Sequence, residues 1–109
     1  MAHAAASTDT LKVGLWVRFD AKPGKEKEVV AFLRQAVDMV QQETNNPLWM
    51  ALRLGPTSFA IFDAFPEDVG RQAHLKGPIA AALMSQTSSL FVAAPVIEPL
   101  DVIGGKVAV

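Results

Sequence analysis

Cysteine and tyrosine are both absent from the 109 residues of this chain. Without cysteine the protein can form no disulfide, no thiolate metal site and no thiol nucleophile. Without tyrosine no mechanism can use a phenolic side chain as acid or hydrogen-bond donor. An excess of one charge is missing too, because the sequence has ten basic and eleven acidic residues and a net charge of −1. We therefore expect no nucleic-acid partner, since such partners select basic surfaces.

Long hydrophobic runs are also missing, and no stretch approaches the roughly 20 apolar residues that a membrane-spanning helix needs. The first seven residues have no basic segment and are too short for the apolar core of a signal peptide. These features predict a cytoplasmic protein without a membrane partner. The sequence also has no glycine-rich phosphate loop, no nucleophile elbow and no metal-ligand spacing, so we predict neither cofactor nor metal.

Half of the residues are apolar, which predicts a globular domain. We expect a flexible tail over residues 1–9 and a single domain over residues 10–109. Hydrophobic periodicity within the domain gives the order β-α-β-β-α-α-β. The predicted elements are strands over 11–19, 48–54, 58–65 and 96–103, a long helix over 25–43, and short helices over 66–73 and from 77 onwards. This order fits an α+β, ferredoxin-like fold whose antiparallel sheet has helices on one face, and Pro99 marks the last strand as an edge strand or a bulge.

The two central strands are apolar on both faces. In residues 48–54 the even positions are Leu, Met, Leu and Leu, and in residues 58–65 both parities are mostly apolar. An antiparallel sheet with one wet face should alternate apolar with polar residues, and one helical layer can cover only one face. We therefore expect a homodimer through sheet faces. A monomer with an exposed apolar face is the alternative.

Three segments taken together resemble the antibiotic biosynthesis monooxygenase family. They are the turn Ala21-Lys22-Pro23-Gly24 after the first strand, the strand over residues 59–65, and the stretch Arg71-Gln72-Ala73-His74-Leu75-Lys76-Gly77-Pro78. The resemblance spans residues 11–102. It implies a dimeric α+β barrel with a small pocket in each subunit between sheet and helices. It also implies a choice of activities, because relatives include cofactor-free oxygenases of phenols or quinols, haem-degrading enzymes and lactone isomerases. Fold alone does not decide among them.

The haem-degrading branch of this family has a site made of Asn, Trp and His residues, with the Asn on the first strand. Here the first strand has no Asn, and His74 corresponds more nearly to the position of that branch's Trp. Because these residues differ from that branch, haem degradation is one of the less favoured of the implied activities.

His74 is the candidate catalytic residue, because it is the histidine inside the domain and an imidazole can act as acid or base in catalysis. It could take a proton from a phenol or hold the resulting anion. Arg53 is the second catalytic candidate, since a guanidinium stays protonated and could stabilise a phenolate. The structural alternatives are a hydrogen-bonded core histidine and, for Arg53 and Arg18, a salt bridge to Asp63 or an exposed rim position.

Four aromatic residues are the candidate substrate-binding side chains: Trp49, Phe32, Phe62 and Trp16. The two tryptophans offer flat surfaces for stacking, and helix phenylalanines could line a cavity that admits dioxygen. Simple core packing is the alternative for all four. Asn45 and Asn46 are interpreted as turn residues that could line the pocket entrance.

The leading hypothesis is a cofactor-independent monooxygenase that oxidises a small aromatic quinol or phenol with dioxygen. His74 is its base or anion partner, Trp49 its stacking wall and Arg53 its electrostatic stabiliser. A dimeric barrel that binds a hydrophobic small molecule without converting it is the first alternative, and a lactone-type isomerase is the second.

Overall fold

The computed structural model describes residues 10–108, and its elements follow the predicted order. They are β1 (Val13–Asp20), α1 (Glu26–Gln41), β2 (Leu48–Arg53), β3 (Ser58–Phe65), α2 (Asp68–Leu75), α3 (Pro78–Ser85), α4 (Thr87–Leu90) and β4 (Val96–Asp101). The short helix α4 is an addition to the prediction. The tail predicted over residues 1–9 lies outside the described residues.

The four strands form one antiparallel sheet in the order β2-β3-β1-β4. This arrangement confirms the predicted α+β, ferredoxin-like fold class. Pro99 lies on β4, which is an edge strand as predicted, and there its missing N–H costs no ladder bond.

Helix α1 packs on the sheet through a stripe of side chains at helical spacing. Val29, Leu33, Ala36 and Val40 are buried along it. Two carboxylates, Glu26 and Glu28, occupy its first turn, where the helix dipole favours negative charge. The turn before it contains Gly24 at a φ of 82°, a left-handed conformation that glycine adopts without strain. The sequence thus determines both where α1 begins and which side it buries.

The sheet presents two faces, because successive side chains along a strand point to opposite sides. Odd-numbered strand residues share one core with residues of the helices, and we call this side the helix-covered face. Its members include Leu15, Val17, Phe19, Phe59, Ile61 and Phe65, which pack with Val29, Leu33, Leu83 and Leu90. Even-numbered strand residues form the other side, which we call the open face. They include Trp16, Met50, Leu52, Phe62 and Val96.

No helix within residues 10–108 combines the length and the hydropathy needed to cross a membrane.

Candidate functional site

A carboxylate lies in the middle of the helix-covered face. Asp63 is the only charged side chain in the described part of the chain that is fully buried, with 1% of its surface exposed. It is on this face because it falls between Ile61 and Phe65 in the alternation of β3. A buried carboxylate is costly unless it is paired and hydrogen-bonded, so its partner decides what it does.

That partner is His74 of α2. Its Nε2 atom lies 3.0 Å from Oδ2 of Asp63, and only 8% of the imidazole side chain is exposed. The ring also packs against Phe65, with 5.5 Å between the ring centroids. Because His74 falls in the last turn of α2, the helix dipole favours a positive charge there. The core therefore contains a carboxylate–imidazole pair.

The other imidazole nitrogen points away from Asp63 and towards the end of α1. Nδ1 of His74 lies 3.4 Å from the amide nitrogen of Asn46 and 3.7 Å from Oε2 of Glu43. If Nε2 carries the proton that binds Asp63, Nδ1 is left as an acceptor for the Asn46 amide. A protonated imidazole would instead face carboxylates on both sides. The pair thus connects the core with the partly exposed Glu43.

Two cavities meet at the imidazole, which lines both of them. The inner cavity, about 30 Å³, lies between the sheet and the helices α2 and α3 and is mostly apolar. Its lining includes Leu15, Val17, Trp49, Ile61, Asp63, His74, Leu83, Met84 and Ile97. The outer groove, about 310 Å³, lies beside the α1–β2 connection and is lined by Glu43, Asn45, Asn46, His74, Gly77 and Pro78, among others.

Three buried polar atoms near this pair have no hydrogen-bond partner: Oδ1 of Asp63, Nε1 of Trp49 and Oδ1 of Asn46. Trp49 and Asp63 are directly opposite each other on β2 and β3 and both line the inner cavity. Asn46 lines the outer groove instead. Buried polar atoms are normally paired, so unmet hydrogen-bonding capacity is concentrated on both sides of the imidazole.

The structure brings two of the predicted site residues together. His74 and Trp49 line the same inner cavity. Phe32 packs against the core from α1 but is not part of the lining of that cavity. Asn45 and Asn46 line the outer groove.

Arg53 lies away from this pair. It ends β2, donates from Nε to the carbonyl of Gly55 and from Nη2 to the carbonyl of Pro56, and covers the Phe59 ring at 5.2 Å. The expected alternative, a salt bridge between Asp63 and an arginine, is wrong, because His74 occupies that position. The other expected explanation for Arg53, an exposed rim position, agrees with its exposure.

Trp16 and Phe62 lie on the open face, on the opposite side of the sheet from His74. They are direct partners in the β1–β3 register and both are half-buried. A single copy of the chain therefore cannot bring them to the same pocket as Trp49. The predicted residues came from both faces because strand alternation could not show which face meets the helices.

Sequence reasoning missed Asp63 and Glu43 as members of the site. A signal for Asp63 was present, since it is an isolated acid at the same strand parity as three apolar residues of β3, Phe59, Ile61 and Phe65. An acid in that position requires a partner within the core. Glu43 gave no such signal, because it falls just after α1 and looks like an ordinary surface residue.

A second arginine, Arg71 on α2, binds backbone atoms of the sheet. Its Nη1 atom donates to the carbonyls of Gly14 and Leu100, and its Nη2 atom lies 2.8 Å from Oδ1 of Asp68. Hydrogen bonds from Arg71 and then from Gln72 lower the pKa of Asp68 below its ordinary value of 3.8. This group attaches α2 to β1 and β4, and so fixes the helix that carries His74.

The chemistry available here is proton transfer. A carboxylate that orients an imidazole is an arrangement suited to a general base or to an imidazolium that stabilises an anion. No group of three or more histidine, aspartate or glutamate side chains in residues 10–108 is placed to hold a metal ion.

A solved structure resembles this chain at substantial sequence identity. A crystal structure of NE2512, described as a protein of unknown function from Nitrosomonas europaea, is 41% identical to this chain with a TM-score of 0.86. The match covers 92% of this chain and 97% of the other. Neither the protein-family models nor the curated proteins searched include a match.

More distant structures share the fold. A protein named as an antibiotic biosynthesis monooxygenase is 14% identical with a TM-score of 0.71, over 84% of this chain and 98% of the other. Rv0793 from Mycobacterium tuberculosis is 14% identical with a TM-score of 0.73, over 86% of this chain and 97% of the other. Two further neighbours are named for the same monooxygenase family. The fold of the single chain is therefore the one that the resemblance implied.

Proposed function

This chain belongs to the same family as NE2512 of Nitrosomonas europaea and has the fold of antibiotic biosynthesis monooxygenases, and on that basis we propose that it is a cofactor-independent monooxygenase. Its substrate is a small aromatic quinol or phenol of the anthrone type. The observation that carries the proposal is the buried Asp63–His74 pair beside an apolar cavity. A cavity without other titratable groups gives a bound phenol one proton acceptor.

The first step is removal of the substrate's hydroxyl proton. The pair takes up this proton as a unit, and the second nitrogen of His74 exchanges it with the outer groove through Glu43, whose Oε2 atom lies 3.7 Å away. General-base assistance of this kind contributes about 10²–10⁴-fold to a rate. The apolar lining strengthens the attraction between the resulting anion and the positive imidazolium. The function of the pair is thus to make the substrate electron-rich inside a dry site.

The second step is reaction of this anion with dioxygen. For an anthrone-type substrate, the carbon that is oxidised loses two hydrogens and gains one oxygen atom as a carbonyl. The other oxygen atom leaves as water with those two hydrogens. All four electrons that reduce dioxygen come from the substrate, so the reaction balances without an added reductant.

A homodimer through the open face is part of this proposal. Met50 and Val96 on that face are 45% and 57% exposed in the single chain. Together with Trp16, Leu52 and Phe62 they form an apolar surface. Exposing such a surface to water is unfavourable. A second copy of the same face is complementary to it by symmetry. Such a dimer would give Trp16 and Phe62 a packing role between subunits.

Dioxygen uptake by the purified protein, measured with a panel of anthrones, quinols and lactones and without cofactor, tests the proposal. We expect uptake above the spontaneous rate with at least one anthrone, and the corresponding quinone and one water per dioxygen as products. A matched variant, Lys76→Gln, removes an exposed charge two residues from His74 and should not alter the rate. No uptake with any member of the panel, at concentrations where ligand binding is saturated, contradicts the proposal.

A binding protein without catalysis is the second candidate. The mostly apolar lining of the inner cavity favours it, but the cavity's volume of about 30 Å³ holds only one or two water molecules and no aromatic ring. The cavity must therefore widen for any ring to enter. Ligand-induced stabilisation without dioxygen uptake or lactone isomerisation would support this candidate.

A further inference from the structure

A buried donor and a buried acceptor, each without a hydrogen-bond partner, belong to two residues that line the inner cavity. The donor is Nε1–H of Trp49 and the acceptor is Oδ1 of Asp63, and neither has a hydrogen-bond partner. Their residues are direct partners in the β2–β3 register and share the helix-covered face. The other oxygen of Asp63 is already used by His74, so Oδ1 keeps its capacity for a ligand.

From this arrangement we infer that Trp49 and Asp63 form a binding site for one hydroxyl group of the ligand. A hydroxyl both donates and accepts a hydrogen bond. It therefore satisfies the carboxylate oxygen and the indole N–H together, which a carbonyl, an ether or an ammonium group cannot do. The inference rests on the proposed function for its ligand class, an aromatic alcohol. It adds which atoms hold the reacting hydroxyl.

The role of Trp49 changes under this inference. The sequence suggested that its ring stacks against the substrate, whereas here its N–H contacts the substrate oxygen. When the hydroxyl loses its proton, Asp63 and His74 receive it and the indole N–H remains as a donor to the oxyanion. A fixed donor of this kind stabilises developing negative charge without moving. Trp49 then binds the transition state more tightly than the neutral substrate.

The cavity also shows how the rest of such a ligand fits. Met84 on α3 and Ile97 on β4 line the cavity and are 46% and 37% exposed, so the cavity reaches the surface between them. Methionine is unbranched and adapts to different neighbours. A ligand ring entering there displaces the Met84 side chain, because the 30 Å³ of the cavity is large enough for a hydroxyl but not for a ring.

The test uses 1-naphthol and naphthalene as a matched pair of probes, with binding measured by calorimetry or by ligand-detected NMR. We expect the wild-type protein to bind 1-naphthol at least ~10-fold more tightly than naphthalene, because the hydroxyl makes two hydrogen bonds that naphthalene cannot make. Trp49→Phe keeps an aromatic ring and removes the N–H, and it should reduce the preference to about 3-fold or less. Lys76→Gln is the control and should keep the full preference.

A second measurement remains informative if Trp49→Phe folds poorly. The chain has two tryptophans, so a ¹⁵N-labelled sample gives two indole N–H signals. Saturation with 1-naphthol should shift the Trp49 signal downfield, and naphthalene should leave it at the position expected for an unbonded indole. Equal affinities for the two probes, or equal effects of both probes on the Trp49 signal, would overturn the inference.

The outcomes separate this inference from the proposed function. If the protein prefers 1-naphthol through Trp49 and Asp63 but takes up no dioxygen, the hydroxyl site is supported and the oxygenase proposal is contradicted. If the protein takes up dioxygen but binds the two probes with equal affinity, the oxygenase proposal is supported and the hydroxyl site is contradicted.

Discussion

The two faces of the sheet are both apolar but differ in what interrupts them. The helix-covered face contains one buried carboxylate, Asp63, and a helix supplies its imidazole partner. The open face has no buried charge among its described residues, and its large side chains remain partly exposed. We propose that the helix-covered face carries the chemistry and that the open face carries association. Similar hydrophobicity on the two sides of a sheet can therefore serve separate purposes, and a single interrupting residue distinguishes them.

The largest expected effect comes from breaking the pair on the helix-covered face. His74→Ala leaves the carboxylate of Asp63 buried and unpaired, so we expect the free energy of unfolding to fall by about 3–5 kcal/mol. Urea denaturation measures this loss. The double variant Asp63→Leu/His74→Leu replaces the pair by apolar groups and should recover most of the stability. A loss below about 1 kcal/mol for the single variant would show that the pair is not isolated from water.

On the open face a charge should act on association instead of folding. We expect wild-type protein to sediment as a dimer at micromolar concentration and Phe62→Lys to raise the dissociation constant at least ~100-fold, because the lysine would be buried without a partner. Val69→Lys is the matched control, since Val69 is 72% exposed on α2. A monomeric wild-type protein would contradict the role assigned to the open face.

A smaller effect is expected where the strands themselves approach closely. A Cβ atom added at Gly14 would lie 2.4 Å from the backbone oxygen of Asp63 and 2.9 Å from Cδ1 of Leu100. Gly14→Ala should therefore lower the free energy of unfolding by about 1–3 kcal/mol, measured by thermal denaturation. The control Gly55→Ala meets no atom within 4 Å and should be nearly neutral. Equal stability of the two variants would show that β1 shifts easily.

The smallest effect concerns the exposed end of α2. Because hydrogen bonds from Arg71 and Gln72 lower the pKa of Asp68 below 3.8, its ionised form favours the folded state. That contribution is fully present above pH 3.8 and is lost as the pH falls through the lower folded-state pKa. Above pH 3.8, Asp68→Asn should therefore be slightly less stable than wild type. This difference should disappear in acid, and urea denaturation at several pH values measures it. A difference that persists below this pKa would contradict the sign.

Much of the fold could be predicted from the sequence because hydrophobic period and breakers agree along most of the chain. Strand β3 has the predicted bounds, and α1 differs from prediction by one residue at its start and two at its end. Helix α4 was missed because Thr87–Leu90 is a single turn, too short to show a period. Pro99 correctly identified the edge strand, since proline cannot donate to a ladder.

The site was predicted less completely, and the reason is physical. His74 and Trp49 share a cavity, as the sequence suggested, but Arg53, Trp16 and Phe62 do not reach it. Alternation assigns residues to a common face without showing which face is inside, and here apolar residues occupy both. The carboxylate of Asp63 resolves this ambiguity only after its distance to His74 is known.

Turnover by the His74→Gln variant shows whether the imidazole of His74 takes part in proton transfer. The glutamine amide can still donate a hydrogen bond to Asp63 but cannot accept a proton at neutral pH. Dioxygen uptake should be measured on the substrate that the wild-type protein oxidises, with Lys76→Gln as the control. The account predicts a kcat at least ~100-fold lower with little change in KM. A kcat within about twofold of wild type in a folded His74→Gln variant would contradict it.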